Sequence, residues 1–147
     1  MKQLNIVALW ILVLTTKIFA LSVNVDLQDA APIKLKFIED KQNTMSFDDV
    51  VSSDKWNNNV TETINFGFTD SAYWFTFNVN NTSKIKKTAL LRISYPMLDY
   101  IELYRPTENG GYEKTIEGDS FPFHQREITD VAFVYLLEIY PGTNTFY

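Results

Sequence analysis

The chain has 147 residues, with 18 acidic against 13 basic side chains, one histidine, no cysteine and a formal net charge of −5. A chain this acidic has little to offer a polyphosphate backbone, so nucleic acid is excluded as a partner. Without cysteine there is no disulfide, lipoprotein anchor, thiol nucleophile or thiolate metal site, and the single His124 leaves histidine-based zinc and catalytic sets without raw material.

The N-terminus sets the compartment. Lys2 gives a short positive end, Ile6 to Leu14 (IVALWILVL) is unbroken apolar sequence, and Ile18-Phe19-Ala20 offers a cleavage site after Ala20. That order is the pattern of a secretory signal peptide. Its apolar run of nine residues is well short of the roughly 20 needed to span a bilayer. The sequence therefore predicts a signal peptide over 1–20 and one extracytoplasmic domain over 21–147, periplasmic or extracellular after cleavage. Two lysines and no acid leave with the peptide, which takes the net charge to −7.

The mature part alternates strand patterns with short polar turns. Ile33 to Ile38 (IKLKFI) has the period of two expected of a half-buried strand. Ser46 with Asp49 three residues on forms a capping-box start for one or two helical turns. Lys55 to Thr61 is loop-like, with Trp56 as an anchor. Along YWFTFNVN, Tyr73, Phe75, Phe77 and Val79 share one face while Trp74, Thr76, Asn78 and Asn80 share the other. Asn80 to Ser83 is a turn. Thr88 to Tyr95 is a strand with Ala89, Leu91 and Ile93 on its core face, and Tyr95-Pro96 is a bend with a cis bond as one option.

Leu98 to Tyr104 and Tyr112 to Ile116 flank Asn109-Gly110-Gly111, a strong hairpin signal. Val131 to Tyr140 is long and nearly all apolar, which suits a strand buried on both faces or central in a sheet. Pro141 to Asn144 turns the chain into a last strand, Thr145 to Tyr147, that stops almost at once, so the domain is expected to continue beyond this chain. Turns every 8–12 residues favour an all-β antiparallel sandwich or barrel. Its expected core is Phe75, Phe77, Leu91, Ile93, Ile101, Leu103, Phe133 and Leu137.

Chemistry-bearing residues are few. Trp74 beside Thr76 and Asn78 is how sugar sites are commonly built, with a ring to stack on C–H faces and polar groups to bind hydroxyls. Burial of Trp74 under a loop or second sheet is the competing structural reading. Arg126 offers a planar fork for carboxylates, phosphates or sugar hydroxyls, or else an ion pair with Asp99, Asp119 or Glu127. Tyr95 and Asp99 sit at the rim beside the Pro96 bend. Asp48 and Asp49 suit the positive end of a helix. Asp99, Glu102, Glu117 and Asp119 are the acids available to a glycosidase pair, but nothing in the sequence sets two at a working separation. The reading is that the chain is no enzyme and carries no cofactor and no metal.

One order of landmarks goes beyond pattern: Phe66-Gly67 and Trp74, then Tyr95-Pro96 with Asp99 and Tyr104, then Gly118-Asp119, Pro122-Phe123 with Arg126, and Pro141-Gly142. This resembles the type 2 extracellular domain of bacterial seven-transmembrane receptors with diverse intracellular signalling modules (7TMR-DISM), over Ile33 to the end. The resemblance implies a jelly-roll sandwich similar to carbohydrate-binding modules, a seven-helix membrane region after the domain and an intracellular output. The partners it implies are a carbohydrate-like or other small ligand and the receptor's own membrane region, with homodimerisation left open. Where the family commonly has a basic residue two after the tryptophan, this chain has Thr76, which puts an anion contact there in doubt. The candidate ligand-binding residues are thus Trp74, Thr76, Tyr95, Asp99 and Arg126. The alternative function is a protein-interaction or dimerisation module with no small ligand.

Overall fold

Alternating apolar and polar residues fold into antiparallel ladders in the computed structural model, which describes residues 33–58, 66–67 and 69–147, with the backbone of 23–26. The signal-peptide expectation lies outside these residues. The strands are β1 (Val23–Asp26), β2 (Lys36–Asp40), β3 (Asn57–Asn58), β4 (Ala72–Asn81), β5 (Lys87–Ile93), β6 (Ile101–Pro106), β7 (Tyr112–Glu117), β8 (Phe133–Ile139) and β9 (Gly142–Phe146). One short helix, α1 (Phe47–Ser52), and a 3₁₀ turn at Phe123–Gln125 complete the described elements. Among the described residues no helix is long and apolar enough to cross a membrane.

The first sheet has the order β1-β5-β8, and the second the order β3-β2-β4-β9, all neighbours antiparallel. The β6–β7 hairpin extends the second sheet through its last residue. Tyr104 N–H donates to the Tyr147 carbonyl at 2.9 Å, and Tyr147 N–H donates back to the Tyr104 carbonyl at 3.2 Å. Such a reciprocal exchange is the hydrogen-bonded pair of an antiparallel ladder. Between the sheets lie Phe77, Ala89, Leu91, Leu103, Phe133, Tyr135, Leu137, Ile139 and Phe146. The all-β expectation holds, and five of the eight expected core residues are in this cluster. Ile93 and Ile101 pack against it half-buried. Phe75 is the exception: it lies at the far end of β4, with its ring 6.2 Å from that of Phe66.

Three local expectations need correction. The strand expected over Ile33–Ile38 forms at Lys36–Asp40, where the ladder to β4 runs from Lys36↔Thr76 to Asp40↔Ala72. No cis peptide bond occurs among the described residues, so the Pro96 bend is trans. And β8 is not central but the last strand of its sheet, while the other reading, burial on both faces, holds at Phe133, Val134 and Tyr135. Its outward edge is closed by an ion pair rather than a strand. The Glu127 carboxylate accepts the Leu136 N–H at 2.8 Å, and the Arg105 guanidinium donates to the Leu136 carbonyl at 3.0 Å while pairing with Glu127 at 2.8 Å. Charge placed on an edge strand also discourages pairing with a further chain.

The helix forms as its cap predicts. The Ser46 hydroxyl accepts from Asp49 N–H and the Asp49 carboxylate accepts from Ser46 N–H, a complete capping box. Just before it, the buried Asp40 carboxylate accepts from Met45 N–H at 2.8 Å and from Gln42 N–H at 3.3 Å, which fixes the turn leading into α1. In α1 Val50 is fully buried, and Phe47 stacks on Tyr104 of the sheet.

Candidate functional site

Register decides which side chains share a face, since residues directly opposite each other in an antiparallel ladder project to the same side. Phe77 faces Phe146 and Val79 faces Asn144, so that side of the second sheet turns to the core. The other side of β4, the one carrying Trp74, Thr76, Asn78 and Asn80, is the outer face. Across from these residues stand Ile38, Lys36, Thr145 and Thr143 in turn. Beyond β9 the same face continues through Tyr147 and Tyr104 to Glu102, Tyr112, Lys114 and Ile116.

This outer face is aromatic at its centre. Phe47 of α1 stacks on Tyr104, centroids 3.9 Å apart and rings within 3° of parallel, and meets Tyr112 and Tyr147 edge-on at 5.1 and 5.4 Å. Trp56 approaches Tyr147 at 6.0 Å and Trp74 approaches Tyr104 at 5.9 Å. The open sheet face expected around Trp74 is therefore partly covered. Trp74 is half-buried beside the buried Ile38, and α1 with its Phe47 occupies the adjoining surface. Nothing in the residues around Trp74 announced that cover; the capping box announced the helix but not its seat.

Glu102 organises one flank. Its carboxylate accepts from the Tyr100 hydroxyl (2.8 Å), the Tyr104 hydroxyl (2.5 Å) and the Lys114 ammonium (3.0 Å). Burial pushes the acid's pKa up, but the three donors together outweigh it and hold the group below its ordinary value. Burial and then the Glu102 carboxylate raise the Tyr104 hydroxyl, which stays a neutral donor. A carboxylate with lowered folded pKa contributes stability above its unfolded value, and that contribution is lost as pH falls through the folded value. We expect Glu102→Gln to cost on the order of 1 kcal/mol at pH 7 and less at pH 3. Urea unfolding at the two pH values checks this; an equal deficit at both would contradict it.

The opposite flank is polar and open. Asn78, Asn80, Thr143 and Thr145 form two cross-strand pairs, and their side chains make no hydrogen bond to any described residue. Beside them, between the β6–β7 and β8–β9 turns, is a cleft of about 410 Å³ that Thr107, Glu108, Tyr112, Tyr140, Thr143 and Thr145 help to line. The Thr107 carbonyl and hydroxyl hold the hairpin rim by accepting from Gly110 and Gly111 N–H groups.

The five residues singled out from sequence are not brought into one place. Trp74 and Thr76 share the outer face, though the Thr76 hydroxyl donates to the Phe146 carbonyl at 2.9 Å. Arg126 is on the other side of the β6–β7 hairpin. It lines a small crevice with Glu117, whose partner Ile101 belongs to the core side. Its guanidinium lies 4.2 Å from the centroid of buried Phe133 and 4.8 Å from that of Phe123, and donates to the Asp130 and Val131 carbonyls at 2.8 Å each. Its partners are thus carbonyls and rings, not the acids weighed for it. Tyr95 is half-buried in the β5–β6 loop. Asp99 is exposed, and its carbonyl accepts Ser120 N–H at 3.2 Å. Sequence reasoning missed Tyr112, Tyr140, Thr143 and Thr145. The alternation of Asn78 and Asn80 was the available signal, but their partners could be named only once the β4–β9 register was known.

Among the described residues no three histidine, cysteine or acidic side chains come together as a metal site. Two facing sheets, one bearing aromatic rings beside amides and hydroxyls that make no hydrogen bond among the described residues, define an all-β sandwich domain. The chain belongs to the 7TMR-DISM extracellular 2 family, whose model matches residues 33–147. Members are extracellular sensor domains of seven-transmembrane receptors. No curated protein and no solved structure matches the chain.

Proposed function

We propose that this domain senses a small, carbohydrate-like ligand on the outer face of the second sheet and passes its occupancy to the membrane region of its receptor. The observation that carries this reading is the face itself: aromatic rings at the centre and the unpaired Asn78, Asn80, Thr143 and Thr145 at its edge. Rings stack on sugar C–H faces while amides and hydroxyls bind the polar rim. Two facing sheets are also the frame on which jelly-roll carbohydrate-binding modules are built, and the reading takes up that likeness. The net charge of −5 works against anionic ligands by long-range repulsion, which favours a neutral one. Asp99 and Tyr95 border a separate loop region, and Arg126 is committed to structure, so neither loop is the seat of the ligand in this reading.

A thermal-shift screen of neutral sugars and small organic acids tests it. A compound present at 100 times its dissociation constant adds about 2.7 kcal/mol, a shift of several degrees for a domain of this size. We expect neutral sugars to produce it and the acids not to. Shifts with acids alone would contradict the neutral ligand. No shift with any compound would leave the interaction or dimerisation module, for which the exposed cross-strand pair Leu90 and Leu136 on the first sheet is the surface.

A further inference from the structure

We propose that the ligand's seat is the cleft between the β6–β7 and β8–β9 turns, and that it accepts a neutral, hydroxyl-rich ring of monosaccharide size. This rests on the sensor reading above and names the site within it. The cleft, about 410 Å³, falls within the roughly 300–1,000 Å³ range of small-molecule sites. Thr143 and Thr145 line it, and their cross-strand partners Asn80 and Asn78 stand exposed alongside. Four uncommitted side chains therefore form a two-by-two patch, two amides on β4 opposite two hydroxyls on β9, each able to donate and accept. A ring with hydroxyls at successive carbons is the ligand that such a patch matches.

Tyr112 and Tyr140 supply the aromatic surface. Burial, with the neighbouring Tyr147 hydroxyl, raises Tyr112, while Tyr140 donates its hydroxyl to Glu138 at 2.6 Å. Glu138 is in turn paired with Lys86 at 2.6 Å, so neither the acid nor the lysine is a spare charge for an ionic ligand. Glu108 is the single charged residue lining the cleft, and its carboxylate repels anions. Gly110 and Gly111 keep the rim free of side chains. The cleft is continuous with the aromatic centre of the face through Tyr112, which also touches Phe47 and Tyr147.

The test is calorimetric titration of the full chain with glucose, galactose, mannose and N-acetylglucosamine, and with glucuronate, in the wild type and in four variants. Thr143→Trp fills the cleft from an exposed position and is expected to weaken binding at least about tenfold. Asn80→Ala removes one amide without adding bulk and is expected to weaken it roughly three- to tenfold, which keeps the test sound if the tryptophan variant misfolds. Glu108→Gln, which removes the carboxylate that repels anions, is expected still to bind glucuronate more weakly than glucose, because no cation lines the cleft among the described residues. Leu90→Ala, on the first sheet, is expected to leave affinity within about twofold. Wild-type binding that survives both Thr143→Trp and Asn80→Ala overturns the cleft while leaving the sensor reading in place. Loss of affinity in Leu90→Ala alone would move the site to the first sheet. Tighter binding of glucuronate than of glucose would overturn the neutral ligand. No binding of any of the four sugars to the wild type overturns both readings together.

Discussion

Gly118→Ala should be the most damaging single methyl in the chain, costing at least about 4 kcal/mol. Gly118 is buried and has φ +152, a conformation that residues with a Cβ rarely adopt. A Cβ placed there would sit 2.1 Å from the Asp99 carbonyl oxygen and 2.9 Å from the Tyr100 Cα, both main-chain atoms that cannot rotate away. The contact is tight because two loops are bonded at this point, Asp119 N–H to the Leu98 carbonyl at 2.7 Å and Ser120 N–H to the Asp99 carbonyl at 3.2 Å. An alanine must therefore break the junction of the β5–β6 and β7–β8 loops. Urea unfolding reads the result as a large fall in midpoint, or as failure to fold, since whole domains are stable by only about 5–15 kcal/mol. A variant within about 1 kcal/mol of wild type would show that the junction yields.

Phe133→Ala is expected to cost about 3–5 kcal/mol. The ring is fully buried in the inter-sheet core and carries the Arg126 guanidinium at 4.2 Å. Removing it leaves a cavity and strips the cation of its inner aromatic partner. Phe123 holds the outer side of the same guanidinium at 4.8 Å but is half exposed. Phe123→Ala should accordingly cost only about 0.5–1 kcal/mol. The two variants together measure what Arg126 does. A large loss at Phe133 and a small one at Phe123 describe an arginine pinned to the core. Equal, large losses would mean that the 3₁₀ turn over Arg126 is itself part of the core.

Period-two alternation carried most of the fold. It placed β4, β5, β6, β7 and β8 to within a few residues, and put Phe77, Leu91, Leu103, Phe133 and Leu137 in the core, because each lies on the side of its strand that faces the other sheet. For Val131 to Tyr140 it allowed burial on both faces, which holds at Phe133 to Tyr135, or a central place, which does not, since an apolar run does not say how many neighbours a strand has. The missing neighbour of β8 is replaced by Arg105 and Glu127, two charges 22 positions apart whose meeting no local pattern encodes. The outer face was half legible. Trp74, Thr76, Asn78 and Asn80 were assigned to one side correctly, but the cover supplied by Phe47 and the alignment of Thr143 and Thr145 depend on tertiary contacts. Arg126 was singled out for its charge, and the carbonyls and rings that hold it were equally invisible along the chain.

The central claim is that the outer face of the second sheet, at its β9 end, is where this sensor domain meets its ligand. Backbone amide chemical shifts of the full chain, followed during addition of a neutral sugar identified by the thermal screen, test it most directly. The predicted result is a saturating set of shifts at Asn78, Asn80, Tyr112, Thr143 and Thr145, with Leu90 and Leu136 on the first sheet unmoved. Shifts confined to the first sheet, or to the loops around Asp99 and Arg126, would contradict it.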